Sequence, residues 1–381
     1  MECRKLYYED PLLRKFSATV TGCIQAEKGW AVTLDATAFY PEGGGQACDL
    51  GTLGGANVLD VRERGEEIIH LCDAPLTVGE TVDGRLDWQR RFDLMQQHTG
   101  EHILSGLVCA RFGYHNVGFH VGAQVIQIDF DGPIPPEALC QLEQQANEVI
   151  WENRPVLCTV PSPEVLETIS YRSKRKLPWP VRIVEIPGAD ICACCGTHVP
   201  FAGQVGIIKI LSSVKFHEGV RLELVCGSRA LRYLSAVYEQ NRQVSQIFSA
   251  RLLETGAAAL RTAEALAAEK LRANTLQNQL LDYTASSYVN QSNVLHFAEN
   301  LDGGQLRLLA EKIAGICDGF AAVFSEKEGS FSYCLAQPGG DLRQLCRQMN
   351  DQLNGRGGGK PPFQQGTVNA TRQQIEAFFH K

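Results

Sequence analysis

The spacing of apolar residues changes character several times along this chain, and each change predicts a different kind of element. Up to about residue 90, short apolar runs (Phe16 to Val20, Trp30 to Leu34, Ile68 to Leu71) alternate with Gly, Asp and Pro. Short strands at such spacing predict a small β-barrel over 1–90 rather than βαβ units. From 91 to about 235 the pattern is mixed. Asp93 to Leu104 reads as helix, Val117 to Gly122 and Val125 to Phe130 as strands, and Pro136 to Trp151 as an amphipathic helix opened by prolines. Val181 to Ile186, Val205 to Leu211 and Val220 to Gly227 add further strands, so this region is α+β. Residues 236–284 are rich in Ala, Leu, Gln and Glu and almost free of Gly and Pro, which predicts helix. Leu253, Leu260, Ala267, Asn274 and Leu281 recur every seven residues, but Gly256, Ala263, Lys270 and Gln277 are poor seam partners. The stretch therefore predicts a helical connector packing on a neighbour or a second subunit, not a long coiled coil. Residues 285–381 restart as a small α/β pattern, with strands near Asn293, Ala321 and Phe331 and helices over 304–316 and 341–353.

Composition narrows the class. A chain of 381 residues has room for two or three domains, and 21% charged with 44% hydrophobic residues is ordinary for a soluble globular protein. No apolar run is long enough to span a bilayer, and Met1 to Asp10 lacks a hydrophobic signal core. Fourteen cysteines without a regular framework point to reduced thiols, hence a cytoplasmic protein. The net charge of −7 argues against coating of nucleic acid by bulk electrostatics but leaves room for local patches. One such patch puts four cations into the five residues Arg172 to Lys176; Arg175 and Lys176 could touch phosphates, or the segment is a solvated loop.

Candidate chemistry concentrates in two motifs. His98 and His102 lie four apart in the predicted helix, so both imidazoles share one face and can grip a single ion. Cys194-Cys-Gly-Thr-His198 could supply two more ligands at a turn. Three imidazoles and a thiolate suit Zn2+. Two glycine-rich stretches are weaker signals. Gly43-Gly-Gly-Gln46 would let a backbone approach a ligand closely, or is simply a hairpin tip. Asn354 to Gly366 is not a nucleotide P-loop, because only three residues separate Gly355 from Gly359 and Pro361 follows Lys360. Flanked by Arg356 and Lys360, it could still cradle an RNA phosphate.

Taken in order, Phe39-Tyr-Pro-Glu-Gly-Gly-Gly-Gln46, His98-x3-His102, Cys194-Cys-Gly-Thr-His198, Gly219-Val-Arg-Leu-Glu and the terminal Gly357-Gly-Gly-Lys resemble the freestanding alanyl-tRNA editing proteins of the long AlaX type. These are relatives of the editing region of alanyl-tRNA synthetase. The resemblance implies a zinc-dependent editing domain over 91–235 and a C-terminal DHH-associated glycine-rich domain over 285–381. It implies a zinc site of His98, His102, Cys194 and His198, although Cys195 stands where the family usually has Gly and Cys192 is nearby. It implies hydrolysis of the ester between serine, sometimes glycine, and alanine tRNA, with mischarged tRNA(Ala) as partner. Gly43, Gly44, Gly45 and Gln46 are expected at the aminoacyl end or terminal adenosine. Arg221 is expected at a phosphate or in a structural contact, and Thr33 or Thr37 at the serine hydroxyl. Glu101 is expected either as a catalytic base or as a solvated helix residue. The barrel beginning at residue 1 suggests an enzyme without ligase activity, and 236–284 with the C-terminal domain suggests a homodimer. A zinc-stabilised RNA-binding module without catalysis and a threonyl-tRNA editing enzyme are the competing readings.

Overall fold

The computed structural model describes residues 3–173, 179–327 and 329–380. It is mixed α+β, and the chain divides into two compact units, Met1–Gln243 and Val244–Lys381.

In the first unit, strands Lys15–Ala26, Gly29–Leu34, Glu67–Cys72, Ala56–Arg64, Gly51–Leu53 and Thr81–Leu86 pair in that ring order as a closed barrel. All six pairings are antiparallel, and Thr81–Leu86 alternates strictly between exposed and buried positions. Phe16, Val20, Val32, Leu53, Val61 and Ile68 fill the interior together with Phe39 and Tyr40.

The chain then enters a 25-residue helix, Trp88–Phe112, capped by the Asp87 side chain on the Arg90 N–H and ended by Gly113 in a left-handed conformation. Arg91, fully buried, ties this helix to the barrel. Its guanidinium pairs with Asp49 and donates to the carbonyls of Ala38 (2.5 Å) and Pro11 (3.1 Å). The helix packs beside Pro136–Trp151 on a four-stranded antiparallel sheet ordered Ile208–Phe216, Gly219–Cys226, Ile126–Phe130, Asn116–Val121. Ile103, Leu104, Leu142, Ala146, Ile126, Ile128, Leu222 and Leu224 belong to their shared core. A second sheet, Leu157–Thr159, Ile183–Ile186 and Asp190–Ala193, lies against the helix at Gly106. A Cβ there would stand 2.2 Å from the Ala189 carbonyl, so only glycine lets the turn before Asp190 come this close.

The second unit has a five-stranded sheet ordered Ser292–Ala298, Asp318–Lys327, Ser330–Ala336, Phe363–Val368, Gly355–Gly358. Its first two strands are parallel and joined through helix Gly303–Ala314. Arg343–Gln352 and Arg372–Phe379 are further helices of this unit, contributing Cys346, Met349 and Ile375 to a core with the sheet. The glycine-rich stretch is thus an edge strand, not an open loop. Gly357 pairs with Gly366, and a Cβ on Gly357 would meet the Tyr333 hydroxyl at 2.3 Å. The predicted helical stretch is two helices, Gly227–Ile247 and Thr255–Ser286; the second leaves Leu260, Leu266, Leu271, Leu276 and Leu280 exposed. Among the described residues no helix is long and apolar enough to cross a membrane.

A candidate metal centre under a cavity

His98 and His102 project from one face of Trp88–Phe112, and Cys194 and His198 come from the turn after Asp190–Ala193. Their donor atoms all lie within 4.8 Å of one another. The rings of His98 and His102 are each 4.6 Å from that of His198, and Cys194 Sγ is 3.3 Å from His98 Nε2. Gly196 has no side chain for a simple reason: a Cβ would stand 2.1 Å from His98 Cε1. All three histidines and Cys194 Sγ lie in the interior, with the imidazoles nearly inaccessible.

Each imidazole is held from behind through Nδ1. His98 Nδ1 donates to Gln46 Oε1 at 2.8 Å, His102 Nδ1 to Asp190 Oδ2 at 2.8 Å, and His198 Nδ1 meets Thr99 Oγ1 at 3.2 Å. That pattern commits the three Nε2 atoms to one point, as outer-shell partners do in metal sites. His198 Nε2 is buried without a hydrogen-bond partner among the described residues, as suits a nitrogen that would bond a metal.

The electrostatics of Cys194 and His198 agree with the donor set, whereas burial at His102 is outweighed by Cys194 and Asp190, which hold its imidazole well above the ordinary value. Burial raises the Cys194 thiol, but the imidazoles of His98 and His102 outweigh it and hold the thiol well below its ordinary value. A ligating thiol must be a thiolate, so the site prepares that state. Burial and repulsion from His98 lower His198 well below the usual imidazole value, which suits a neutral ligand. Burial would also raise Asp190, yet His102 and Arg172 hold its carboxyl below the ordinary range. Of the neighbouring thiols, Cys195 lies 3.8 Å from the Tyr40 hydroxyl and Cys192 groups with His102 and Asp190, so Cys194 is the thiol in the four-residue set.

The cluster borders a cavity of about 900 Å³ lined by Tyr8, Gly44, Gly45, Glu101, Asn116, Phe119 and Arg182, among others. Glu101 is not a solvated helix residue. It is buried, its Oε1 accepts from Ser105 Oγ (2.6 Å) and Asn116 Nδ2 (2.5 Å), and its Oε2 stands 3.9 Å from His102 Nε2. Arg182 lies 4.6 Å over the Tyr8 ring and donates to the carbonyls of Cys194 and Gly196.

Other expected site residues fall elsewhere. Gly44 and Gly45 line the cavity, whereas Gly43 closes the turn by bonding Gln46 in both directions. Gln46 lies behind the site, because its amide is complementary to His98 Nδ1 and to Thr197, whose hydroxyl and N–H it engages. Thr33 accepts from Thr21 on the adjacent barrel strand and Thr37 bonds buried His70, and neither lines the cavity. Arg221 is spent on Asp129 at 2.6 and 2.8 Å and stacks on Phe216, also away from the cavity. Arg356 and Lys360 are exposed in the second unit. Arg175 and Lys176 lie outside the described residues, though Arg172 and Ser173 before them line the cavity. Sequence reasoning passed over Asp190, Thr99, Asn116 and Arg182; of these, only Asp190, four residues before Cys194, carried any signal as an outer-shell carboxylate.

Comparison with known proteins is consistent with this architecture. Residues 8–90 match the family described as tRNA synthetases class II (A), and 181–222 match the threonyl and alanyl tRNA synthetase second additional domain. The chain is 30% identical over 401 residues to a zebrafish (Danio rerio) protein named alanyl-tRNA editing protein Aarsd1, covering 97% of this chain and 95% of that one. It is 36% identical over 259 residues to an alanine–tRNA ligase of Ignicoccus hospitalis, covering 65% of this chain and 28% of that one. A solved C-Ala domain of Aquifex aeolicus alanyl-tRNA synthetase aligns with 24% of this chain and 92% of that one at 17% identity and a TM-score of 0.21, too slight to argue from. The relative named alanyl-tRNA editing protein and the matched second additional domain place this architecture in the synthetase-related editing class, a class of hydrolases. The chain belongs to the alanyl-tRNA editing protein family.

Proposed function

We propose that this protein hydrolyses the ester of mischarged tRNA(Ala), chiefly seryl- and also glycyl-tRNA(Ala), with Zn2+ held by His98, His102, Cys194 and His198. The observation that carries the reading is the buried Glu101 carboxylate, anchored by one oxygen and turned by the other toward the cluster at the cavity edge. A purely structural zinc site has no use for a buried carboxylate beside its ligands, which disfavours a non-catalytic RNA-binding module.

Bound zinc would supply electrophilic polarisation next to the ester. Glu101 Oε2 takes a proton from the attacking water as its oxygen bonds to the acyl carbon. The bond from that carbon to the ribose oxygen then breaks, and the proton passes to the leaving ribose hydroxyl. Free amino acid and intact tRNA result, with no ATP consumed. Tyr8 and Phe119 offer faces to the terminal adenosine, and Gly44 and Gly45 admit the aminoacyl end without side-chain bulk. Arg356, Lys360 and the segment with Arg175 and Lys176 would meet tRNA phosphates. The exposed leucines of Thr255–Ser286 support self-association, and the setting is cytoplasmic.

The test is release of serine from preformed seryl-tRNA(Ala), with alanyl-tRNA(Ala) alongside, before and after chelation. Chelator-sensitive loss of serine with alanine spared is expected, and Glu101→Gln should slow it about a hundredfold or more while keeping the metal. Binding of tRNA without hydrolysis of either ester would overturn the reading.

A further inference from the structure

An ester at the 3′ end of a tRNA brings a phosphodiester with it, one ribose away from the acyl group. A cavity that takes the terminal nucleoside must therefore also settle a negative charge, and Glu101 already sets a carboxylate at its edge. Among the described residues, Lys5, Arg172 and Arg182 are the Lys and Arg side chains that line it. Two of them are neutralised. Lys5 Nζ is 2.7 Å from Glu63 Oε1, and Arg172 grips both oxygens of Asp190 at 2.7 and 2.8 Å. Arg182, half-buried, pairs with no carboxylate among the described residues; its side chain bonds backbone carbonyls instead. A cation drawn out of water without a counter-ion is unfavourable, and a ligand anion removes that cost.

The position of Arg182 is also fixed in advance. Its carbonyl accepts from the Cys194 N–H at 3.0 Å, and its Nη1 donates to the carbonyls of Cys194 and Gly196, each at 2.9 Å. The guanidinium lies 4.6 Å over the Tyr8 ring. None of these bonds uses the fork of Nε and Nη2, the geometry with which arginine takes a phosphate. We propose that Arg182 is the phosphate subsite of the cavity and binds the phosphodiester that leads into the terminal nucleoside. This rests on the deacylase reading above. The same guanidinium braces the turn that carries Cys194 and His198, so the phosphate and the acyl ester are held in one frame.

The test measures binding of two inert analogues to the zinc-loaded protein by calorimetry: adenosine carrying serine as a 3′-amide, with and without a 5′-phosphate. The phosphate should tighten binding to the wild type at least about tenfold, and Arg182→Gln should cut that gain to about twofold or less. Arg182→Lys keeps the charge without the fork and should retain part of the gain. A purely bracing role predicts that Arg182→Gln weakens both analogues equally. That outcome, or a wild type indifferent to the phosphate, would overturn the proposal. Should Arg182→Gln not fold, Arg182→Lys decides in its place, and an undiminished phosphate gain there overturns it. Release of serine from seryl-tRNA(Ala) by the wild type is followed in parallel. Its absence would sink the deacylase reading, while phosphate-dependent binding at Arg182 would still stand.

Discussion

Gln46→Ala tests whether the glycine turn governs the metal site from behind. Gln46 Oε1 takes the His98 Nδ1 proton at 2.8 Å and the Thr197 N–H at 3.2 Å, and its Nε2 donates to Thr197 Oγ1 at 2.8 Å. One side chain thus orients a candidate ligand on the helix and fixes the turn that bears Cys194 and His198. Truncation leaves two buried donors without their acceptor and frees the His98 ring to rotate. Loss of such an outer-shell partner typically lowers metal affinity about 10- to 100-fold, or roughly 1.4–2.7 kcal/mol. Equilibrium competition for Zn2+ against a chromophoric chelator at pH 7.5 measures this directly, with far-UV circular dichroism confirming the fold. Gln46→Glu restores an acceptor for His98 but not the donor to Thr197, so it should recover part of the loss. Affinity of folded Gln46→Ala within twofold of wild type would refute the claim that Gln46 positions His98.

Two further predictions concern the barrel and its turn. Gly45 has φ of +83° and a Cβ there would lie 2.5 Å from the Phe119 ring, so Gly45→Ala should cost about 1–3 kcal/mol in urea unfolding; an unchanged midpoint would contradict it. His70 is fully buried against Thr37 and the Val32 carbonyl, and burial lowers its pKa from 6.5 to about 4. Between those values the unfolded chain binds the extra proton, so stability falls as pH drops. The His70 share of that loss should be about 2 kcal/mol between pH 7.5 and pH 5, visible as a shallower pH dependence in His70→Gln.

Much of the fold was legible because its signals are local. The helix Pro136–Trp151 has the predicted bounds, since two prolines open it and its buried positions recur at helical spacing. The strands Thr81–Leu86 and Gly51–Leu53 were not read, because Gly84 stands at an inward position of the first and breaks its apolar alternation, and the second has only three residues. The edge strand Gly355–Gly358 could not be read at all: four residues with three glycines carry no β-propensity, and its partner Phe363–Val368 alone makes it a strand. The four candidate ligands were readable from two spacings, but Gln46 was not assignable to His98. That contact joins residues 52 apart in sequence and exists only because the barrel turn is folded against the helix.

Glu101 shows where a correct helical reading was applied to the wrong pair. Viewed from His102 it is the next residue, turned about 100° away, and a neighbour so placed suggests a side chain leaving the site. Viewed from His98 it is three residues on, which returns it to the same face within about 60°. Ser105, four residues further, continues that face and holds Oε1, so His98, Glu101, His102 and Ser105 form one buried polar stripe. The stripe also accounts for the burial of so polar a helix segment. The Asn116 strand covers one side, and the Asp190 turn, drawn in at Gly106, covers the other. Each buried polar group on the stripe finds a partner in one of these two elements or in Gln46 from the barrel turn, and the two histidines also face the candidate metal cluster.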